Sequence, residues 1–275
     1  EALSAGPPLH TLIIPWAGLP VETGSLLAEF PEIAVHNLHH NAQPVAEMAL
    51  TLLLSAAKSI VPFDQALRRG DWRPRYRPSP TQLLANKTAL ILGYGAIGRQ
   101  TAGQCKAIGM RVLATRRNPA QRPDGPADEV HPSSALSELL PEANALLICL
   151  PHTPETDGLI SQKELALLPQ GAILVNVGRG PIVDQSALYI ALQNGHLHAA
   201  GLDVWYNYPA DEASRSHTLP ADFPFQELDN VVMSPHRAGS TGETNALRMA
   251  HLADLLNAAA AGESLPNRID LAAGY

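Results

Sequence analysis

Two residues in this chain have the chemistry to work on a small carbonyl acid. Arg179, in "NVGRG", carries a planar fork that can hold a carboxylate through two parallel hydrogen bonds. His236, in "SPHRAG", carries an imidazole that can give or take a proton near neutral pH. A carbon that accepts hydride beside a carboxylate needs this pair: a cation for the acid and a proton donor for the oxygen. Both residues close short apolar runs, as do "LPHTPET" and "LDVW". In an open α/β sheet ligands gather outside the carboxyl ends of the strands, which is where these segments fall.

A hydride source is suggested by "GYGAIG", which sets Gly93, Gly95 and Gly98 in G-x-G-x-x-G spacing. The glycines allow a tight turn and close approach of pyrophosphate, while the helix opening at Ala96 and Ile97 offers free N–H groups and a favourable dipole. The motif follows a strand and opens a helix, the context that the dinucleotide fingerprint requires; a tight turn without ligand is the alternative. The next strand ends at Thr115, Arg116 and Arg117 where an acid would bind ribose hydroxyls. Arginines there can hold a 2′-phosphate, so NADP is preferred, with NAD possible; the alternative is that they only solvate the strand end.

Six apolar runs must position these groups: "TALILGYG", "MRVLATRR", "ALLICLPHT", "GAILVNVGRG", "HAAGLDVW" and "NVVMSPHRAG". Each is short and apolar on both faces, the mark of a buried parallel strand. Helix-length crossovers between most of them predict a doubly wound α/β sheet of Rossmann type. Two long helical segments, "PVAEMALTLLLSAAKSIVPF" and "TNALRMAHLADLLNAAAAG", flank it and suggest a hinge to a smaller domain. The boundaries read as 43–236 for the dinucleotide domain, with 1–42 and 237–275 forming the other.

Composition narrows the classes. At 275 residues, 45% hydrophobic and 16% charged, the chain can bury a sizeable core. A net charge of −7 gives no footprint for nucleic acid or an anionic membrane, and no apolar run reaches bilayer length. Cys105 and Cys149 sit in apolar stretches and read as buried thiols in a reducing compartment, with the cytoplasm as the expected location and no signal peptide. His36, His39 and His40 cluster in "VHNLHHN", but without cysteine or carboxylate partners a metal site is not expected; His39 or His40 fits a pocket lining better. Trp16, Trp205 and Tyr206 fit core or lid packing as well as substrate contact.

The order "GYGAIG", "LPHTPETDGLI", "VNVGRGPIVDQSALYIALQNGHLHAAGLDV" and "SPHRAG" resembles the D-isomer-specific 2-hydroxyacid dehydrogenases, to which formate dehydrogenase is related. The resemblance runs from about residue 9 and implies reversible reduction of a small 2-oxo acid by NAD(P)H in a homodimer, paired through the "VPFDQALRRGDW" arm. It implies that Arg179 holds the substrate carboxylate and that His236 exchanges the proton. Asp203 would reach the nicotinamide amide, and Pro151, Thr156, Val177 and Gly239 would line the cofactor. Ala17 and Gly18 in "IPWAGLP", with Asn41 in "HHNAQPVAE", would meet the substrate, in a second domain of flavodoxin-like α/β type. Members usually begin with a further strand-helix-strand portion, so the smaller domain is expected to be incomplete.

One position departs from the resemblance. Where the family commonly has a glutamate paired with the catalytic histidine, "GLDVWYNYPA" has Tyr208. Tyr208 could orient His236 by a hydrogen bond and leave a reductase that favours acid pH. Alternatively Asp211 or Glu212 could fold back as the missing acid, or the chain could be a cofactor-binding sensor or a formate-type oxidant.

Overall fold

The computed structural model describes residues 9–19, 21–27, 29–118 and 125–271. Two compact units divide the chain, one of residues 1–43 with 239–275 and one of 44–238.

In the larger unit seven parallel strands line up: β3 (Thr88–Leu92), β4 (Arg111–Arg116), β5 (Glu129–Pro132), β6 (Ala145–Ile148), β7 (Ala172–Asn176), β8 (Leu197–Leu202) and β9 (Val231–Met233). Their spatial order is β5-β4-β3-β6-β7-β8-β9. The chain therefore starts at the middle of the sheet, runs to one edge, and returns to build the other, which is the doubly wound Rossmann arrangement. Alternate residues feed two cores: Leu90, Leu92 and Leu174 pack on one face, and Ala89, Ile91, Ile173 and Val175 on the other. That two-sided burial is why these strands read as continuous apolar runs. Each fully buried Leu or Ile contributes about 1.5–3 kcal/mol through apolar burial.

Helices α4 (Ala96–Ala107), α5 (Leu136–Leu139), α6 (Gln162–Leu167) and α7 (Gln185–Gln193) form the crossovers. The starts of two of them are specified by side-chain caps. Ser161 and Glu164 form a reciprocal capping box at α6, and the Asp184 carboxylate accepts from Ala187 N–H at α7.

Two features differ from expectation. The seventh strand, β5, is short and partly exposed at the sheet edge, so it carries no apolar run to betray it. The long segment from residue 44 is not one helix: α2 (Ala42–Lys58) ends before Ser59, which is left-handed at φ 51°, and α3 (Ile60–Arg68) departs at 65°. Pro62 explains the break. In a continuous helix its ring would collide with the carbonyl of Lys58, four residues back. No single helix among the described residues is long and apolar enough to cross a membrane.

In the smaller unit β1 (Thr11–Ile14) and β2 (Ala34–Asn37) pair in parallel, and Arg268 makes an antiparallel bridge to His36. Helices α1 (Val21–Leu27) and α8 (Thr244–Ala260) complete it. Its core holds Ile14, Leu27, Ile33, Val35 and Ile269.

Candidate active site

The β3–α4 turn fits a pyrophosphate. Gly93 takes φ +93°, and a Cβ on Gly98 would lie 2.0 Å from the Gly93 carbonyl oxygen, so neither position accepts a side chain. A Cβ on Gly95 would meet nothing within 4 Å, which leaves the mouth of the turn open. Gly95 caps α4 without any side-chain hydrogen bond, so the first-turn N–H groups at Ala96 and Ile97 face that opening uncapped. The Thr115 carbonyl accepts from Gly93 N–H at 3.2 Å and Tyr94 N–H at 2.9 Å, tying the turn to the end of β4.

The two arginines after Thr115 part company. Arg117 pairs with Glu155 at 3.0 Å on the surface. Arg116 keeps its Nη1 buried without a hydrogen-bond partner. Arg99, on the first turns of α4, stands with its guanidinium carbon 5.6 Å from the Tyr94 ring centroid, and its Nη1 is likewise buried and unpartnered. Two donors near one turn thus lack the acceptors that buried polar atoms almost always have.

Along the other strand ends the loops are stitched together. Thr156 Oγ1 donates to the Pro151 carbonyl at 2.8 Å and accepts from Thr153 N–H, so this hydroxyl is engaged in shaping its own loop. After β7, Val177 N–H donates to the Ile148 carbonyl, and the Asn176 amide accepts from Gly178 N–H and donates to the Arg179 carbonyl. Cβ atoms would come within 2.5 Å of the Leu150 oxygen at Gly178 and 2.2 Å of the Trp205 oxygen at Gly180. These glycines let β7 lie close to both neighbouring loops. Arg179 between them points its fork to the surface, with only Nη1 engaged, on the Gly178 carbonyl at 2.7 Å.

Asp203, 1% exposed, organises the loop that carries His236. Its Oδ1 accepts from Ser234 Oγ at 2.5 Å and Arg237 N–H at 2.9 Å, and its Oδ2 from Ala238 N–H at 3.0 Å. Trp205 Nε1 adds a bond to the Ser234 carbonyl at 2.8 Å. So held, His236 takes a left-handed backbone at φ 55°, costly for a non-glycine residue and supported here by its neighbours. Tyr208 Oη lies 3.0 Å from His236 Nδ1 and accepts from Trp205 N–H at 3.2 Å. Asp211 and Glu212 are occupied elsewhere, with Ser214 and Arg215 respectively. The ring's partner is therefore the tyrosine.

The surroundings of the His236 ring set its electrostatics. Desolvation on its protein side, then the nearby Arg179 charge, lower the His236 pKa below its ordinary value, and the Asp203 charge opposes them. A carboxylate in the Tyr208 position would push the same pKa upward.

The D-isomer specific 2-hydroxyacid dehydrogenase NAD-binding domain matches residues 50–238. The chain belongs to this family. Over an alignment of 276 positions that covers all of this chain, it is 34% identical to D-3-phosphoglycerate dehydrogenase of Mycobacterium leprae, of which it covers 49%. Over 234 residues it is 39% identical to glyoxylate reductase of Aeropyrum pernix, covering 83% of this chain and 66% of that protein. The chain thus spans about half to two thirds of the length of these curated relatives. The crystal structure of a D-isomer specific 2-hydroxyacid dehydrogenase from Xanthobacter autotrophicus Py2, in complex with NADPH and MES, superposes with a TM-score of 0.78 at 30% identity. It covers 99% of this chain and 81% of that one.

Within this dehydrogenase fold the larger unit gathers Arg179, Asp203, Tyr208 and His236. Ala17, Gly18, Asn41 and Gly239 belong to the smaller unit. There the Ala17 carbonyl accepts from Asn37 Nδ2 at 2.8 Å, Gly18 is exposed, and a Cβ on Gly239 would sit 3.0 Å from Asn41 Nδ2. Trp205 and Tyr206 pack against Phe225 in the core, whereas Trp16 is exposed. Sequence reading missed Arg99 and Ser234. Arg99 directly follows the third glycine, a position where a cation could have been noticed; Ser234 had no signal of its own. Among the described residues no group of three or more His, Cys, Asp or Glu could hold a metal ion.

Proposed function

We propose that this dehydrogenase reversibly reduces a small 2-oxo acid to the D-2-hydroxy acid, preferring NADPH to NADH. The observation that carries the reading is the Tyr208–His236 pair beside Arg179, at the strand ends next to an open dinucleotide turn. A bound nicotinamide dinucleotide supplies the hydride. The uncapped α4 terminus, the clear space over Gly95 and the unpartnered Arg116 and Arg99 donors suit its phosphates.

The chain's own residues do the rest. The Arg179 fork takes the substrate carboxylate, which fixes the oxo carbon's orientation. His236 in its charged form donates the proton to the developing alkoxide through Nε2, with Nδ1–H turned to Tyr208 Oη. After the transfer the neutral ring keeps Nδ1–H on Tyr208 Oη, which leaves the Nε2 lone pair free to take the proton back in the oxidative direction. The test is cofactor oxidation followed by absorbance with glyoxylate, hydroxypyruvate, pyruvate and bulkier 2-oxo acids between pH 5 and 8. Tight cofactor binding with no turnover of any of them would leave a sensor and refute the reductase reading.

Cofactor choice rests on Arg116. Arg116→Ala should raise the KM for NADPH about 10- to 100-fold, the loss of one hydrogen bond to a charged group, and leave the NADH value nearly unchanged. An unaltered NADPH-to-NADH ratio would remove Arg116 from the phosphate site.

A homodimer is the assembly that best explains the face of α3 and its following loop. Ile60, Leu67, Trp72 and Tyr76 are all more than half exposed there, and exposed apolar patches mark association surfaces. Light scattering should give twice the 29.3 kDa chain mass, and Leu67→Glu with Trp72→Glu should return it to the monomer. A monomeric parent protein would end this proposal.

A further inference from the structure

Tyr208 is 49% exposed, and an exposed side chain loses rotamer freedom when it is held in one place. Its position on His236 Nδ1 therefore depends on how firmly the backbone beneath it is fixed. That backbone is closed at its base. The Pro220 carbonyl accepts from Tyr206 N–H at 3.1 Å and from Asn207 N–H at 2.9 Å, which shuts off residues 208–219 as a loop. Asp222 completes the closure with both carboxylate oxygens: Oδ1 accepts from Asn207 Nδ2 at 2.9 Å and Oδ2 from Gln185 Nε2 at 2.8 Å. Its own N–H donates to Gln185 Oε1 at 3.2 Å. Asn207 is the immediate neighbour of Tyr208, and Pro209 on the other side has a fixed φ. Gln185 opens α7 next to its Asp184 cap, in the stretch of chain that leaves Arg179. One carboxylate thus joins the segment bearing Tyr208 to the segment that follows Arg179. The bonds from Asn207 and Gln185 hold the Asp222 carboxyl below the usual carboxylate range, so it stays ionised and the clamp closed at neutral pH.

We propose that Asp222 is a positioning residue for the reduction: through Asn207 and Gln185 it holds Tyr208 on His236 Nδ1, and so decides which ring nitrogen carries the proton. The proposal rests on the reductase reading of the site. With Tyr208 in place, Nδ1–H has its acceptor and Nε2 is left to face the substrate. With the clamp open, the tyrosine ring leaves, and the neutral imidazole divides its proton between the two nitrogens. The share protonated on Nε2 has no lone pair there to take a proton from a hydroxy acid.

The first readout needs no turnover. Nitrogen NMR of isotope-labelled histidine side chains should show the neutral His236 ring protonated on Nδ1 in the parent protein. Asp222→Ala should move part of that population to Nε2 and lower the His236 pKa, because the charged ring loses an acceptor. Tyr208→Phe should give the same change, and the double variant no more than either. Asp222→Asn should restore most of the parent pattern, since a flipped Asn207 amide can answer its NH2 group. The second readout is a double-mutant cycle on reductive kcat. Asp222→Ala should lower kcat about 2- to 10-fold, the worth of one hydrogen bond, with the KM for NADPH unchanged, and should cost nothing further in Tyr208→Phe. Equal losses with tyrosine and phenylalanine at position 208 would make Asp222 a plain loop staple and overturn the proposal, as would a His236 proton that Asp222→Ala leaves on Nδ1. Asn207→Ala removes only the bond beside Tyr208 and gives the same test if Asp222→Ala does not fold. Absence of all turnover would defeat the reductase reading, while the His236 spectrum still decides whether Asp222 holds Tyr208 in place.

Discussion

Replacing His236 by asparagine should lower kcat/KM for 2-oxo acid reduction about 10²- to 10⁴-fold, the usual contribution of a positioned proton donor. Asparagine is the informative choice because His236 sits at φ 55°, a backbone that asparagine tolerates better than most residues. The loop tied to Asp203 should survive, and cofactor affinity should stay within a few-fold of the parent. His236→Ala should match it in rate and fall behind in stability. Steady-state rates with a fluorescence titration of NADPH separate the two effects. A loss below tenfold would move the proton to another group.

Arg179→Met carries the second large effect. Two charge-assisted hydrogen bonds to a carboxylate disappear, each worth about 1.5–3 kcal/mol, so kcat/KM should fall at least about 10²- to 10³-fold. Arg179→Lys should recover only part of this, since an ammonium is a point charge without the fork. A further consequence reports on geometry rather than binding. Because the Arg179 charge depresses the His236 pKa, its removal should move the midpoint of residual activity to higher pH. An unmoved midpoint would separate the two residues electrostatically.

How much of this was readable beforehand follows from where the residues lie. β6 and β7 are buried along their whole length, so hydrophobicity alone marks them; β5 sits at the edge, where no such requirement acts. The dinucleotide turn was legible because its three glycines answer steric demands a few residues away, as Gly98 does against Gly93. Asp203 was expected to reach the nicotinamide, and its four acceptor positions are three parts committed to Ser234, Arg237 and Ala238. Only folding shows that engagement, because the donors lie more than thirty residues away. Tyr208 was the opposite case: its departure from the family pattern was plain in the chain, and its bond to His236 Nδ1 at 3.0 Å gave that departure a partner.

A neutral tyrosine in place of a carboxylate has a definite sign. Reduction needs the imidazolium, which is present below the His236 pKa and lost as pH rises through it; oxidation needs the free base, present above it. With that pKa lowered, the proposed 2-oxo acid reduction should be fastest under acid conditions and weaken as pH rises toward neutral, and the proposed reverse oxidation should gain over the same range. The decisive measurement is the pH profile of reductive kcat/KM for the parent protein and Tyr208→Glu. The parent should decline with a midpoint below the ordinary histidine value of about 6.5, and Tyr208→Glu should shift it upward by about 1–3 units. A parent profile flat to pH 8, or a midpoint that glutamate leaves in place, would contradict the account.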